Sequence, residues 1–191
     1  MNICIYGASS KKTSSKYISV VEELGSTLAS LGHGLVFGGG ASGLMGAAAR
    51  GFTQGGGYIL GVAPRFFDAD GILYDKCTEF IYTNTMRERK QVLEEKSHAF
   101  IVAPGGVGTF DEFFEIITLK QLGRHNKAII IFNIDGYYNE LLKLMDKALK
   151  EDFLTEKTLE LYFVANCRED VVNYLKTYQA QNINLKETKY I

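Results

Sequence analysis

Pro104-Gly105-Gly106-Val107-Gly108-Thr109-Phe110-Asp111-Glu112 is the stretch of this sequence that most constrains its fold. It follows an apolar run, His98 to Ala103, that is typical of a buried strand, and it precedes Phe113 to Leu122, which has the pattern of a helix. Its glycines permit a tight turn and let a ligand approach the main chain closely. Thr109 stands where a helix N-cap is expected, and Glu112 completes the spacing of a capping box. Because free amides at a helix start favour an anion, the stretch predicts a phosphate-binding turn with a carboxylate beside it.

The composition is that of one soluble globular domain. The chain has 191 residues, of which 46% are hydrophobic and 23% are charged, and this length suits a single α/β domain with a full core. A net charge of −1 gives no reason to expect a nucleic acid polymer or an anionic membrane as partner. The apolar run at 1–7 is too short for a signal peptide or a membrane span.

The residues that most often bind metals or form catalytic triads are scattered. The cysteines have no paired spacing, which favours reduced thiols in a cytoplasmic protein over a disulfide framework or a zinc site. The histidines lack ligand spacing, and Ser9 and Ser10 have no evident His/Asp partner. The sequence therefore predicts neither a metal site nor a hydrolase triad; the residues concerned are Cys4, Cys77, Cys167, His33, His98 and His125.

Short apolar runs alternate with helical patterns along the whole chain. Strands are predicted at 3–6, 35–37, 58–63, 79–82, 98–103, 128–132 and 161–164, with helices between them and a last helix at 169–178. The segment 64–77 has no clear period. This alternation predicts a doubly wound sheet of about seven mostly parallel strands with helices on both faces. Residues 1–178 are expected to form one domain, and 179–191 a polar, loose tail.

Four polar or glycine-rich turns follow the C-terminal ends of predicted strands. They are Ser9-Ser10, Gly38 to Gly43, Thr83 to Met86, and Pro104 to Thr109. In an open α/β sheet these ends share one edge, and ligands bind there. We therefore expect the four turns to converge on one crevice.

The turn at 104–109 allows more than one interpretation. It could be a strand-to-helix turn and nothing else, but such turns seldom combine three glycines, a capping hydroxyl and an acid. No Lys-Ser/Thr follows Gly108, so it is not a Walker A loop, and its glycine spacing and late position differ from the dinucleotide fingerprint. Phosphate binding is favoured here, whereas the glycine turn at 38–46 fits loop geometry and ligand contact equally well.

The charged residues around this turn also have two interpretations. Glu112 can serve the capping box alone or act in catalysis, and Glu115 and Thr118 can share its helix face. The run Arg87-Glu88-Arg89-Lys90 has the mixed charge of a solvated helix face, but its place after a strand end favours contact with an anion or a carboxylate. The apolar remainder of the helix from Phe113 is broad enough to indicate a subunit interface.

At these residues the chain resembles the LOG ("lonely guy") family of cytokinin riboside 5′-monophosphate phosphoribohydrolases, whose members are also called lysine decarboxylases. The matching pieces are Gly38-Gly39-Gly40-Ala41-Ser42-Gly43-Leu44-Met45-Gly46, Met86-Arg87-Glu88-Arg89-Lys90, Pro104 to Glu112, and the run from Gln121-Leu122-Gly123 through Asn133-Ile134-Asp135-Gly136-Tyr137-Tyr138. The likeness extends to about Tyr178.

The resemblance implies a Rossmann-like homodimer, without cofactor, that hydrolyses the N-glycosidic bond of nucleoside 5′-monophosphates such as AMP or N6-substituted AMP. The products are the free base and ribose 5-phosphate. The resemblance assigns catalysis to Arg89 and Glu112. It assigns substrate contacts to Lys90, Gly105, Gly106, Val107, Gly108, Thr109, Phe110, Asp111 and Thr118. Gly39, Gly40 and Met86, which also follow strand ends, are further predicted substrate contacts.

This chain departs from the family pattern at three places. Arg87 stands where the family often has His, Leu93 where it often has Met, and Ala128 follows Lys127 where Pro is common. Since Arg89 and Glu112 are intact, these departures concern the preferred base more than the type of reaction.

The implied chemistry suits the residues. Cleavage builds positive charge on the ribose. A carboxylate such as Glu112 can stabilise this charge or can activate the attacking water. Arg89 could contact the substrate or hold Glu112 ionised, since an adjacent cation lowers a carboxylate pKa.

Two alternatives stay open at this stage. One is a non-catalytic nucleotide-binding or cofactor-carrier protein on the same fold. The other is a PLP-dependent lysine decarboxylase using Lys90 or Lys127, although nothing near either residue resembles a PLP site.

Overall fold

The protein, described by a computed structural model over residues 1–67, 71–180 and 188, contains one sheet of parallel strands. The strands are β1 (Asn2–Tyr6), β2 (Gly34–Phe37), β3 (Ile59–Pro64), β4 (Glu79–Thr83), β5 (Ala99–Val102), β6 (Ala128–Phe132) and β7 (Phe163–Ala165). The helices are α1 (Ser15–Ser30), α2 (Gly43–Gln54), α3 (Met86–Lys96), α4 (Val107–Gln121), α5 (Asn139–Lys150), the short α6 (Glu156–Leu159) and α7 (Arg168–Thr177). Short 3-10 turns lie at Arg65–Phe67 and Ile134–Gly136.

The strand order places the switch point of the sheet beside β1. The order is β4-β3-β2-β1-β5-β6-β7, and every neighbouring pair is parallel. Strands β2, β3 and β4 are therefore added one after another on one side of β1. The chain then crosses to the other side of β1, where β5, β6 and β7 follow in order. In such sheets the ligand crevice opens at the carboxyl ends of the strands next to the switch point. The predicted doubly wound parallel sheet is confirmed.

Helices cover both faces of the sheet. Along β1, Ile3 and Ile5 contribute to the core under α1, α2 and α7, whereas Cys4 and Tyr6 contribute to the core under α3, α4 and α5. This alternation follows from the two-residue period of a strand. Because both faces are buried, the central strands must be apolar throughout, which is why they are visible in the sequence as continuous apolar runs.

The start of α4 differs from the prediction. The helix begins at Val107 with Gly106, not Thr109, at its N-cap, and no side chain caps it. The predicted capping box between Thr109 and Glu112 is therefore wrong. Thr109 lies inside the first turn, where its side chain packs against Gly105 so closely that a Cβ there would collide with it. The three glycines obscured this start, because they carry no apolar side chain to mark the helical period.

Other parts of the chain differ from expectation in smaller ways. The short helix α6 was not predicted. The irregular segment at 64–77 folds back on the second glycine turn, through hydrogen bonds from the Ala41 amide to the Ile72 carbonyl (2.9 Å) and from the Tyr74 amide to the Gly39 carbonyl (2.8 Å). Residues 68–70 of that segment lie outside the described ranges.

The predicted C-terminal tail falls mostly on residues outside the described ranges, at 181–187 and 189–191. Thr188 is described and is buried, and its carbonyl accepts hydrogen bonds from the side-chain Nε2 of Gln121 (2.6 Å) and the Thr158 hydroxyl (3.0 Å). Across the described ranges, no helix has both the length and the apolar character needed to cross a bilayer.

Candidate active site

The four turns predicted to converge do meet at the carboxyl edge of the sheet. The Ala8 amide, just after β1, donates to the Pro104 carbonyl (3.0 Å), and the Ala8 carbonyl accepts from the Leu44 amide at the start of α2 (2.7 Å). A side chain at Gly43 would collide with the backbone at 8–10, and one at Gly38 would collide with the guanidinium of Arg89. The glycines of the second turn therefore allow both β1 and α3 to approach it.

Arg89 and Glu112 form a buried ion pair at this edge. Arg89 lies on α3 and Glu112 on α4, and the Arg89 Nη1 atom donates to Glu112 Oε1 at 2.8 Å. The exposed fractions of the two side chains are 8% and 11%. The Nε–H of Arg89 is buried and has no acceptor in the described part of the chain. A buried donor without a partner is rare in folded proteins and marks this guanidinium as a site of functional interest.

The pKa of Glu112 is raised above its ordinary value, because burial penalises the carboxylate more than Arg89 and Lys90 stabilise it. Arg89 lowers this pKa, as expected of an adjacent cation, but the effect of burial is larger. Raising a carboxyl pKa towards neutrality makes the group a stronger base at working pH.

The first turn of α4 presents backbone amides that the protein itself does not use. The first amide of this region with a backbone acceptor is that of Phe110, which donates to the Gly106 carbonyl (3.0 Å). The amides of 105–109 have no acceptor among residues 1–67, 71–180 and 188. By contrast, Leu44 and Met45 at the start of α2 donate to Ala8, and the Thr85 hydroxyl caps α3 through the Glu88 amide.

The three glycines of this turn differ in whether the fold has room for a side chain. A Cβ at Gly105 would collide with Thr109, so that glycine serves the fold. A Cβ at Gly106 or Gly108 would meet no atom within 4 Å, and neither residue has a positive φ. The fold therefore does not require glycine at these two positions, which is consistent with a ligand approaching the backbone there.

Lys90 contacts two carboxylates of α4, in line with the expectation that the charged run at 87–90 meets an anion or a carboxylate. Its Nζ atom lies 2.8 Å from Glu115 and 3.2 Å from Asp111, so it links α3 to the outer side of α4. Arg87, in contrast, is exposed. Glu112, Glu115 and Thr118, which were predicted to share one helix face, lie in three different environments. Glu112 is buried against Arg89, Glu115 pairs with Lys90, and Thr118 is exposed.

The remaining candidate contacts surround this centre at different depths. Met86 is exposed at the start of α3, and Val107 is 83% exposed at the start of α4. Phe110 is half-buried against the ring of Tyr138. Gly39 and Gly40 are buried under the segment at 72–74, so they shape the second turn from its far side.

Sequence reasoning missed residues that hold the turn at 104–109 from outside. The Tyr137 hydroxyl donates to the Gly105 carbonyl (2.6 Å), and the Tyr138 hydroxyl donates to the Ala103 carbonyl (2.7 Å). A tyrosine pair that follows the end of β6, at the same edge of the sheet, was a signal that could have found them. Among the residues that the structure describes, no three His, Cys, Asp or Glu side chains are grouped as metal ligands would be.

Comparisons with known proteins show the family and the fold of this chain. Residues 45–175 match the family model described as "Possible lysine decarboxylase". Two cytokinin riboside 5′-monophosphate phosphoribohydrolases of Arabidopsis thaliana, LOG3 and LOG1, are each 36% identical over 176 residues; the match covers 92% of this chain and 82% and 83% of theirs. The molybdenum cofactor carrier protein of Chlamydomonas reinhardtii shares the fold, with a TM-score of 0.69 over 92% of this chain and 95% of that one, at 20% identity. The chain belongs to the LOG family, the family of the cytokinin riboside 5′-monophosphate phosphoribohydrolases.

Proposed function

We propose that this protein hydrolyses the N-glycosidic bond of a nucleoside 5′-monophosphate, such as AMP or an N6-substituted AMP, to the free base and ribose 5-phosphate. One observation carries the proposal: the unused amides at the start of α4 precede Glu112 on the same helix. Glu112 lies five residues after Val107, about 7.5 Å along the helix axis, a separation suited to a ribose between a 5′-phosphate and a reacting anomeric carbon.

The α4 turn supports phosphate binding by two physical effects. Its amides are free to donate hydrogen bonds, and the positive end of the helix dipole favours a doubly charged anion. The binding energy of the phosphate would hold the sugar against Glu112, so that a nucleoside lacking the phosphate should react poorly.

Glu112 supplies the chemistry in this proposal. As the bond between C1′ and the base breaks, its electron pair leaves with the base, which takes up a proton, and positive charge builds on the ribose. The ionised Glu112 stabilises that charge or accepts a proton from the water whose oxygen bonds to C1′. In either case the water supplies the hydroxyl of the ribose and releases one proton, which balances the proton taken up by the base. Arg89 orients the carboxylate through the hydrogen bond from its Nη1 atom to Glu112 Oε1.

The test is the release of adenine from AMP by two pairs of variants. Glu112→Gln and Arg89→Ala should each lower kcat/KM by about 10²- to 10⁴-fold, the usual contribution of a positioned acid–base group, while circular dichroism shows an unchanged fold. Glu115→Gln on α4 and exposed Arg87→Ala on α3 are the matched controls, and both should remain active. Near-normal adenine release by Glu112→Gln and Arg89→Ala would contradict the assignment.

The same assay separates the alternatives. A nucleotide- or cofactor-carrying function, suggested by the fold shared with the molybdenum cofactor carrier protein, predicts binding of AMP without base release. A PLP enzyme needs a reactive lysine. Lys90 is held by two carboxylates, and Lys127 donates to the Glu94 carbonyl at 2.6 Å. Absence of PLP absorbance in the purified protein would argue against that chemistry.

The proposal extends to domain organisation, assembly and location. Residues 1–178 would act as one catalytic domain, in a cytoplasmic homodimer without a nucleic acid partner. The net charge of −1 supports the last point. Exposed apolar side chains next to the site, Met86 on α3 with Val107 and Phe114 on α4, support a second copy as partner.

A further inference from the structure

Three successive carbonyls before α4 each accept a hydrogen bond from a different part of the fold. The Ala103 carbonyl accepts from the Tyr138 hydroxyl (2.7 Å), the Pro104 carbonyl from the Ala8 amide (3.0 Å), and the Gly105 carbonyl from the Tyr137 hydroxyl (2.6 Å). All three carbonyl oxygens, which would repel an anion, are thereby held by donors from outside the turn.

Fixing a carbonyl also fixes the amide of the same peptide unit. In a planar trans peptide the C=O and N–H bonds point in opposite directions, and the described chain has no cis peptide bond. The bond from Tyr137 to the Gly105 carbonyl therefore sets the direction of the Gly106 N–H. The bond from Tyr138 lies on the peptide that leads into Pro104, which has no N–H to direct.

The segment that carries the two tyrosines is itself held firmly. Asp135 and Gly136 adopt positive φ values of 51° and 71°, which turn the chain sharply after β6. The Asn133 side chain accepts from the Tyr138 amide (2.7 Å), and Lys16 on α1 pairs with Asp135 (2.8 Å). The Tyr137 ring also packs edge-on against Tyr17, with ring centroids 6.2 Å apart.

We propose that Tyr137 is a positioning residue for the substrate phosphate: its hydroxyl, by holding the Gly105 carbonyl, aims the Gly106 amide at the anion. This inference rests on the proposed function, because it assumes that the 5′-phosphate binds the turn. Tyr138 donates to the Ala103 carbonyl, whose peptide unit ends in the nitrogen of Pro104 and has no N–H. Its hydroxyl therefore stabilises the fold but does not orient an amide towards the anion.

The two tyrosines form a matched pair for an experiment. Tyr137→Phe and Tyr138→Phe each remove one hydroxyl that binds a carbonyl of the same turn. Binding of ribose 5-phosphate is measured by calorimetry on the full chain, together with kcat and KM for AMP and the melting temperature. For Tyr137→Phe we expect the Kd for ribose 5-phosphate and the KM for AMP to rise about fivefold, the scale of one net hydrogen bond, with kcat within twofold. For Tyr138→Phe we expect a lower melting temperature and a Kd within twofold of the parent protein.

The outcomes separate this inference from the proposed function. If the parent protein binds ribose 5-phosphate and releases adenine while Tyr137→Phe binds as tightly as the parent, the inference alone is overturned. Equal loss of affinity in both variants overturns it too, because the hydroxyl would then act through general stability of the turn. If the parent protein does not bind ribose 5-phosphate, the phosphate site and the role of Tyr137 are both rejected.

Discussion

At the scale of single residues, Glu112 is governed by two opposing electrostatic effects. Burial favours its neutral form, while Arg89, 2.8 Å away, favours its charged form. Burial prevails, so the carboxyl pKa is raised. A buried pair of this kind seldom adds net stability, because desolvation of both charges offsets their attraction. In the proposed reaction this pair positions the carboxylate, a role that does not depend on a gain in stability.

This balance predicts the pH dependence of the reaction. Because Glu112 is proposed to act in its ionised form, kcat/KM should fall as the pH decreases through its pKa. Since burial raises that pKa, the acid limb should lie above the ordinary value of 4.5. The measurement is adenine release from AMP across pH.

The substrate phosphate also titrates near pH 6, so its contribution to the pH dependence must be separated from that of Glu112. The Glu112→Gln variant has no carboxyl group at this position. The pH dependence of its binding to ribose 5-phosphate therefore reports the phosphate alone. After that correction, an acid limb at or below 4.5 would mean that Glu112 is not the titrating base.

At the scale of an element, the first turn of α4 combines a weak helix start with open amides. No side chain caps it, as is also true of α1, α2 and α5, whereas Thr85 caps α3 and Thr155 caps α6. A missing cap typically costs about 1 kcal/mol, and a glycine in the helix costs about 0.5–1 kcal/mol relative to alanine. The first turn of α4 is therefore less stable than a capped turn without glycine. An anion bound to its free amides would stabilise it.

Gly108→Ala tests this interpretation. A methyl group at this position meets no atom within 4 Å, so the free energy of unfolding should increase by about 0.5–1 kcal/mol. The kcat/KM for AMP should fall by at least about tenfold, because the methyl group hinders close contact between the phosphate and the turn. Denaturant unfolding and the adenine assay measure the two effects.

Gly105→Ala serves as the contrasting variant. Its methyl group collides with Thr109, so it should lose stability as well as activity. Full activity in Gly108→Ala would show that glycine at this position is not needed for the substrate.

At the scale of the whole molecule, exposed apolar side chains on α4 lie beside the proposed site. Phe114 is 41% exposed on α4, on the same helix as the 83% exposed Val107. Exposed apolar groups clustered beside polar ones are typical of protein interfaces, and the ion pairs of Lys90 with Asp111 and Glu115 lie next to them.

We therefore expect a homodimer with a mass of about twice the 21.2 kDa of one chain, measured by light scattering after gel filtration. Phe114→Arg should shift the protein to the mass of one chain, because a buried unpaired charge opposes association. Leu144→Arg on α5, at a position 57% exposed and remote in sequence from α3 and α4, should leave the dimer intact. A monomeric parent protein, or an unaffected Phe114→Arg variant, would exclude this interface.

Much of the architecture follows from the sequence by itself. Strands buried on both faces have to be apolar throughout, and the turns at their carboxyl ends have to gather at one edge, so the parallel sheet and the crevice could be predicted from local patterns. The pairing of Arg89 with Glu112 was available only through a family resemblance, since nothing local connects residues 23 positions apart.

Tertiary structure alone decided how the site is built. It placed the start of α4 at Val107, made Glu112 the partner of Arg89 in place of a cap, and raised its pKa by burial. It also brought Tyr137 to the Gly105 carbonyl across 32 positions. The physical reason is that burial, and hydrogen bonds between elements, depend on packing across the sheet edge, whereas strand and helix patterns depend on neighbours along the chain.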